Sequence, residues 1–264
     1  MTSFFYQIPI WGVVLLFFVL VMIAIEIGYR AGHRTKEFWE SAEAGGGNVV
    51  LSSMLLLLGL ILALTFSASV GNHQSRQKAV ITDANAIGKV FLLADLVAKP
   101  EDQKLKKALL EYARTQVITR SDALSSQKLQ DLIQESTRAA AAIWQLTEEI
   151  VQEKEAGAFD VSLGLAVTDL FGSHRLRNWN VFYRLPGIVL AILVIIATAS
   201  LAIGGFNAGI SGRISRSRMT ALALVLSGVM LLLVDIDHPV SGFIQVDQEV
   251  IQTLIDQIQQ DLGQ

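Results

Sequence analysis

The residues of this chain best equipped for chemistry fall into three small groups. Asp235, Asp237 and His238 stand in the run LVDIDHPV, followed by a turn shaped by Pro239 and Gly242. Two carboxylates and an imidazole can hold a divalent ion through hard oxygens. Residues two apart on a helix point to different sides, however. The competing reading is that these acids cap neighbouring helix N-termini or pair with Arg184 or other basic groups. Asp83, Asn85 and Asp95 form the second group, on a long amphipathic stretch. Asn85 lies off its apolar stripe and Asp95 at the edge, and buried polar contacts that lock helix register would explain them as well as a site would. Thr65 and Ser67, with Phe66 between them and Ser69 beyond, end an apolar run. Such hydroxyls bond carbonyls of their own helix, reach neighbouring helices, or line a wet cavity.

Enzyme chemistry has little support. No Cys is present and only His33, His73, His174 and His238 supply imidazoles. Thiolate metal sites, structural disulfides and a Cys nucleophile are thereby excluded, and no HExxH, GxSxG or phosphate-loop pattern occurs. The expectation is a protein without catalytic residues or cofactor, with metal binding at the DIDH cluster left open. Ahead of His174, the basic groups of the helical stretch neither cluster nor interleave with aromatics in a way that argues nucleic-acid binding.

The elements that must position these residues are read from hydropathy. Four runs, Ile8 to Ile27, Val49 to Val70, Pro186 to Ile210 and Met219 to Val234, approach or exceed the ~20 apolar residues needed to cross a bilayer as a helix. Glu26 sits inside the first with Arg30 four residues on, a helix pair at i,i+4 or an intramembrane carboxylate with a function of its own. Phe4, Phe5, Tyr6 and Trp11 suit the membrane interface before it. Phe38 and Trp39 lie among charges in the first connection, consistent with a short surface helix before a hinge at Gly45-Gly46-Gly47.

The organising stretch is Gly59 to Val97. No Pro interrupts it, and Val80, Ala84, Ile87, Phe91 and Ala94 continue at helical spacing past Gly71. A membrane span thus runs directly into an amphipathic helix.

From Gly71 to Leu185 the pattern is helical and solvated. One helix opens at Glu101-Asp102 with Leu105, Leu109, Tyr112 and Ala113 on one face, a long one begins near Ser121-Asp122, and a short one covers Asp160 to Phe171. In HRLRNWNVFYR, Arg175, Arg177 and Arg184 alternate with Trp179, Phe182 and Tyr183. That composition suits interfacial anchors, or a lipid-headgroup or anion site. Gly205 and Gly209, four apart in the third span, permit close helix packing. The last run places Val246, Val250, Leu254, Ile258 and Leu262 along one side, to pack on a partner helix.

The fold class is therefore an all-α membrane protein: four transmembrane helices with a long helical bundle inserted between the second and third, the second span continuous with the first bundle helix. The expected divisions are 1–70, 71–185, 186–235 and a C-terminal amphipathic helix over 236–264. The turn SGRISRSR has no offsetting acid. The positive-inside rule then puts the short loops in the cytoplasm and the bundle on the extracytoplasmic side of the cell membrane.

The run DANAIG from Asp83 to Gly88, Asp95-Leu96 after it, Thr65-Phe66-Ser67 before it, LVDIDHPVSGFIQV from Leu233 to Val246 and RLPGIV from Arg184 to Val189 together resemble the bestrophin-like domain family of bacterial membrane proteins. The resemblance makes Asp83, Asn85 and Asp95 family-motif positions. It also implies a pentamer and, through bestrophins, anion conduction and the opposite orientation. Two functions are open: a channel-like homo-oligomer in the bilayer passing an inorganic ion, with Thr65, Phe66 and Ser67 lining its pore, or a membrane-anchored interaction or sensory module whose bundle binds a partner.

Overall fold

The computed structural model of the protein describes residues 10–37, 46–117, 126–152, 157–212, 215–238 and 242–263. The aromatic tail at Phe4 to Tyr6, the segment with Phe38 and Trp39, the helix start at Ser121-Asp122, and Arg213 and Pro239 lie outside them. Among the described residues there are eight helices and no strand. They are α1 (Ile10–Arg34), α2 (Gly46–Ala94), α3 (Glu101–Thr115), α4 (Ser126–Gln152), α5 (Ala158–Phe182), α6 (Gly187–Ile210), α7 (Arg216–Asp237) and α8 (Glu249–Asp261).

Four of these, α1, α2, α6 and α7, are long and apolar enough to cross a membrane. At ~1.5 Å rise per residue, even the 22 residues of α7 exceed the hydrocarbon thickness. The 49-residue α2 is unbroken, so the second span and the first bundle helix are one element. Gly46 and Gly47, two of the three glycines where a hinge was expected, belong to its first turn, and Gly45 lies outside the described residues.

The chain divides into two compact units, one of residues 1–71 and 184–238, the other of 72–183 and 239–264. In the first unit, α1 and α6 approach through glycines on both sides. A Cβ on Gly28 would come within 2.0 Å of the Ala202 carbonyl oxygen, and one on Gly32 within 2.1 Å of that of Phe206. Reciprocally, Gly205 and Gly209 meet the carbonyl oxygens of Ile25 and Tyr29, each at 2.3 Å from the missing Cβ. The Gly205/Gly209 pair thus serves packing within the chain, against a matching Gly28/Gly32 pair. Phe17, Val21, Ile25, Leu58, Leu193, Leu201 and Leu233 fill the core around this contact.

In the second unit, Leu105, Leu109, Tyr112 and Ala113 are fully buried, and they pack with Ile87, Val90, Ile143, Leu163 and Leu170. The short helix expected over Asp160 to Phe171 is in fact the 25-residue α5. Its start is fixed by Asp160, whose carboxylate accepts the Gly157 N–H at 2.7 Å. It then continues through the basic-aromatic segment because Ser173, His174 and Arg177 extend the buried stripe of Leu163, Ala166, Val167 and Leu170 at helical spacing. The C-terminal helix buries Ile251, Leu254 and Ile258, while Val250 is exposed, so its inner face is rotated from the expected one.

Candidate functional site

Within the first unit, α2 buries only a narrow stripe. Leu58, Thr65 and Ser69 are turned inward, whereas Leu56, Leu57, Leu60, Leu64 and Phe66 are exposed, as is Ser67. The Thr65 hydroxyl donates to the Ile61 carbonyl at 2.8 Å, satisfying itself within its own helix. Ser69 reaches the Leu233 carbonyl on α7 at 3.4 Å. Only 11% of the apolar window of α2 is buried. The helix therefore presents most of its circumference, including Phe66 and Ser67, to whatever surrounds the subunit.

The DIDH cluster closes the C-terminal end of α7. Asp235 and Asp237 are buried. Asp237 accepts the Leu185 N–H at 2.9 Å just ahead of α6, where an acid complements the helix dipole. His238 Nδ1 lies 2.6 Å from the Val234 carbonyl oxygen. Among the described residues, no three His, Asp or Glu side chains are grouped so as to hold a metal ion. Glu26 accepts from Arg30 Nε at 2.8 Å, the i,i+4 pair that their spacing suggests.

The densest polar geometry is inside the second unit, around Asp83. This residue is 0% exposed, and it draws together three helices. Its Oδ1 accepts Tyr112 Oη–H from α3 at 3.0 Å and Ser173 Oγ–H from α5 at 2.9 Å. Its Oδ2 accepts Arg177 Nη1–H at 3.2 Å. Arg177, itself 5% exposed, also donates to the Gln116 carbonyl. Tyr112 Oη lies 3.1 Å from His174 Nδ1, and His174 Nε2 lies 3.0 Å from Asn178 Nδ2. Since Tyr112 gives its one proton to Asp83, its oxygen accepts from His174 Nδ1–H, which leaves Nε2 bare to accept from the Asn178 amide. One arrangement of protons satisfies the whole chain of bonds.

Electrostatics fit that arrangement. Burial, reinforced by the negative charge of Asp83, raises the Tyr112 phenol above its ordinary value, keeping it a donor. Burial likewise lowers the His174 imidazole and the Arg177 guanidinium, each opposed in part by Asp83. The folded chain thus binds a proton at His174 less readily than the unfolded chain, which takes one up near pH ~6.5. The stability from neutral His174 is complete above that pH and lost as pH falls below it. Thermal unfolding of the full chain in micelles should show this slope, and His174→Gln should flatten it by up to one proton. Identical slopes in the two proteins would remove His174 from the account.

Of the second sequence group, only Asp83 belongs to this network. Asn85 is exposed. Asp95 pairs with Lys106, which also bonds Asp261 of α8 and lies over the Phe91 ring with Nζ 5.2 Å from its centroid. Burial opposes the Lys106 charge, but the bonds to Asp261 and Asp95 outweigh it and raise its pKa.

Sequence reasoning assigned Arg177 to an interfacial anchor set and passed over Ser173, His174 and Gln116. The correction has a physical reason: Arg177 is carried inward by the register of α5, while Trp179 and Tyr183 are exposed. The usable signal was the continuation of the 163-166-167-170 stripe to 173, 174 and 177. Arg76 of α2 is buried as well. It donates to the carbonyls of Asn180 at 3.3 Å and Tyr183 at 2.7 Å, at the C-terminal end of α5, where cations are favoured.

These features define a class: an all-helical, multi-pass membrane protein whose second span continues into a helical bundle. A family model described as the bestrophin-like domain matches residues 10–251, and the chain belongs to that family. Two solved structures share the fold, each at 13% identity. A crystal structure of a membrane protein variant gives a TM-score of 0.61 with 100% of both chains covered. A variant of a bacterial bestrophin homologue from Klebsiella pneumoniae gives 0.52, covering 95% of this chain and 98% of its own. No curated protein matches the sequence.

Proposed function

We propose that this chain is a subunit of a channel-like, ion-conducting homo-oligomer in which α2 faces the axis and Phe66, with Ser67 beside it, forms the constriction. The observation that carries the reading is the exposed face of α2: an apolar span that buries so little within its own subunit has room for an axis and for neighbouring copies. Family membership points the same way. The outer side of α5 adds a second apolar surface, since Val161, Leu165, Leu176 and Trp179 are all exposed at helical spacing opposite its buried stripe. Two apolar patches on one side of a helix, interrupted at Thr168 and Gly172, suit contact with another protein surface, and a ring follows where such a contact is heterologous and closes.

A pentamer and a preference for anions rest on bestrophin resemblance alone; the net charge of −3 gives anions no support. The arginines of the short loops favour a cytoplasmic side for those loops and an extracytoplasmic bundle, whereas bestrophin resemblance favours the reverse. Asp83, Asn85 and Asp95, and the cluster of Asp235, Asp237 and His238, are read as framework rather than as ion ligands, and no enzymatic step is assigned. The exposed side of α5 also suits the second reading, a membrane-anchored module whose bundle binds a partner.

Single-channel recording of the purified protein under a salt gradient separates the two. Discrete currents are expected, with a reversal potential giving the sign of the ion, and Phe66→Ala should raise the conductance. Unchanged current in Phe66→Ala would move the constriction elsewhere, and silence from folded, inserted protein would favour the binding module.

A further inference from the structure

The first unit carries a groove of about 420 Å³ between α1 and α7. Phe18, Met22 and Ile23 of α1 and Met219 of α7 give it an apolar floor, while Glu26, Arg216 and Thr220 are its polar lining. Its size is that of small-molecule sites, ~300–1,000 Å³. Both helices are membrane spans, so the molecule at hand along them is lipid. The end of α1 and the beginning of α7 meet the same short-loop side, which puts Glu26 and Arg216 toward one membrane surface and Phe18 deeper.

The charges at that mouth are unequal. The Glu26 carboxylate is already engaged by Arg30. Arg216, by contrast, enters no ion pair among the described residues. The turn around it, SGRISRSR, holds three arginines and no acid. A cation left over at the end of an apolar cleft between spans is the chemistry that selects an anionic headgroup over a zwitterionic one. The cleft would hold roughly one turn of a helix ~10–12 Å across, too little to seat a span of a second copy, whereas a single flexible hydrocarbon chain fits.

We propose that this groove is a binding site for an anionic phospholipid, with one acyl chain along Phe18, Met22 and Ile23 and the phosphate against Arg216. The site is separate from the exposed face of α2, and it stands whether or not the assembly conducts.

The test uses the full chain, delipidated and returned to micelles containing phosphatidylglycerol, phosphatidylcholine or both, with retained lipid read by native mass spectrometry. Phosphatidylglycerol should be retained over phosphatidylcholine by roughly fivefold, the preference expected of one basic side chain near the headgroups. Arg216→Gln should abolish the preference while leaving some retention of either lipid, and Arg216→Lys should restore it. Met22→Trp, which fills the cleft, should reduce both lipids. Because the chain has no Cys, Ile23→Cys reports a second copy cleanly: a disulfide-linked dimer in membranes would overturn the proposal by filling the groove with protein. Equal retention of the two lipids by the unaltered chain, or a preference that survives Arg216→Gln, would overturn it as well.

Discussion

Gly28→Val is expected to abolish recovery of folded protein from the membrane. Any side chain here begins with a Cβ 2.0 Å from the Ala202 carbonyl oxygen, with the Ala202 carbonyl carbon at 2.9 Å and the Phe206 nitrogen at 3.1 Å. All three are backbone atoms, so no rotamer change relieves the clash; α1 and α6 must separate. Overpacking a core usually costs about 1–3 kcal/mol, and a backbone clash that parts two helices belongs at or above the top of that range. Between spans, association depends on close van der Waals packing rather than on exclusion of water, so separation is not compensated by lipid. A control is available in the other two spans: a Cβ at Gly59 of α2 or Gly228 of α7 would meet nothing within 4 Å, and alanine there should be tolerated. Yield and thermal unfolding in micelles measure both. A Gly28→Val protein that unfolds at the same temperature as the unaltered chain would mean that α1 and α6 are not in this contact.

The second large effect is at Asp83. Asp83→Ala should destabilise the protein by about 3–5 kcal/mol, the usual cost of leaving one member of a buried ion pair uncompensated. The variant leaves the buried Arg177 guanidinium without its counter-charge and the buried Tyr112 hydroxyl without its carboxylate acceptor, while Ser173 keeps the Leu170 carbonyl at 2.8 Å. Replacing both charges, as in Asp83→Leu with Arg177→Met, should recover much of the loss, because a hydrophobic pair of similar volume avoids the desolvation cost. Chemical denaturation of the single and double variants decides this. If the double variant is no more stable than Asp83→Ala alone, the pair contributes through something other than charge compensation.

Much of the fold was legible because bilayers impose a simple rule. The length and apolarity of the runs locate α1, α2, α6 and α7, and the unbroken pattern from Gly59 to Val97 reveals that α2 does not stop at Gly71. Elements outside the bilayer were harder. The continuation of α5 through His174 and Arg177 was hidden because its buried stripe changes from apolar to polar at Ser173, and hydropathy cannot distinguish a buried arginine from an anchoring one. The Asp83 network was only half visible for the same reason: its carboxylate stood in a motif, but its partners come from α3 and α5 and are joined only by folding. The glycine contact was seen from one side, at Gly205 and Gly209; Gly28 and Gly32 have the same spacing, and only the geometry matches one pair to the other.

The continuity of α2 has a consequence for hydrogen bonding. Every helix end leaves a set of N–H groups or carbonyls without intrahelical partners, and near hydrocarbon such groups have no water to take up the debt. A chain that ended its span at Gly71 and began a new helix would create both kinds of end in the middle of its longest element. By carrying one helix from Gly46 to Ala94, the protein passes from its first compact unit to its second with the backbone ladder intact, and at the far end the Leu93 and Ala94 carbonyls accept from the Leu96 and Val97 N–H groups of the following turn.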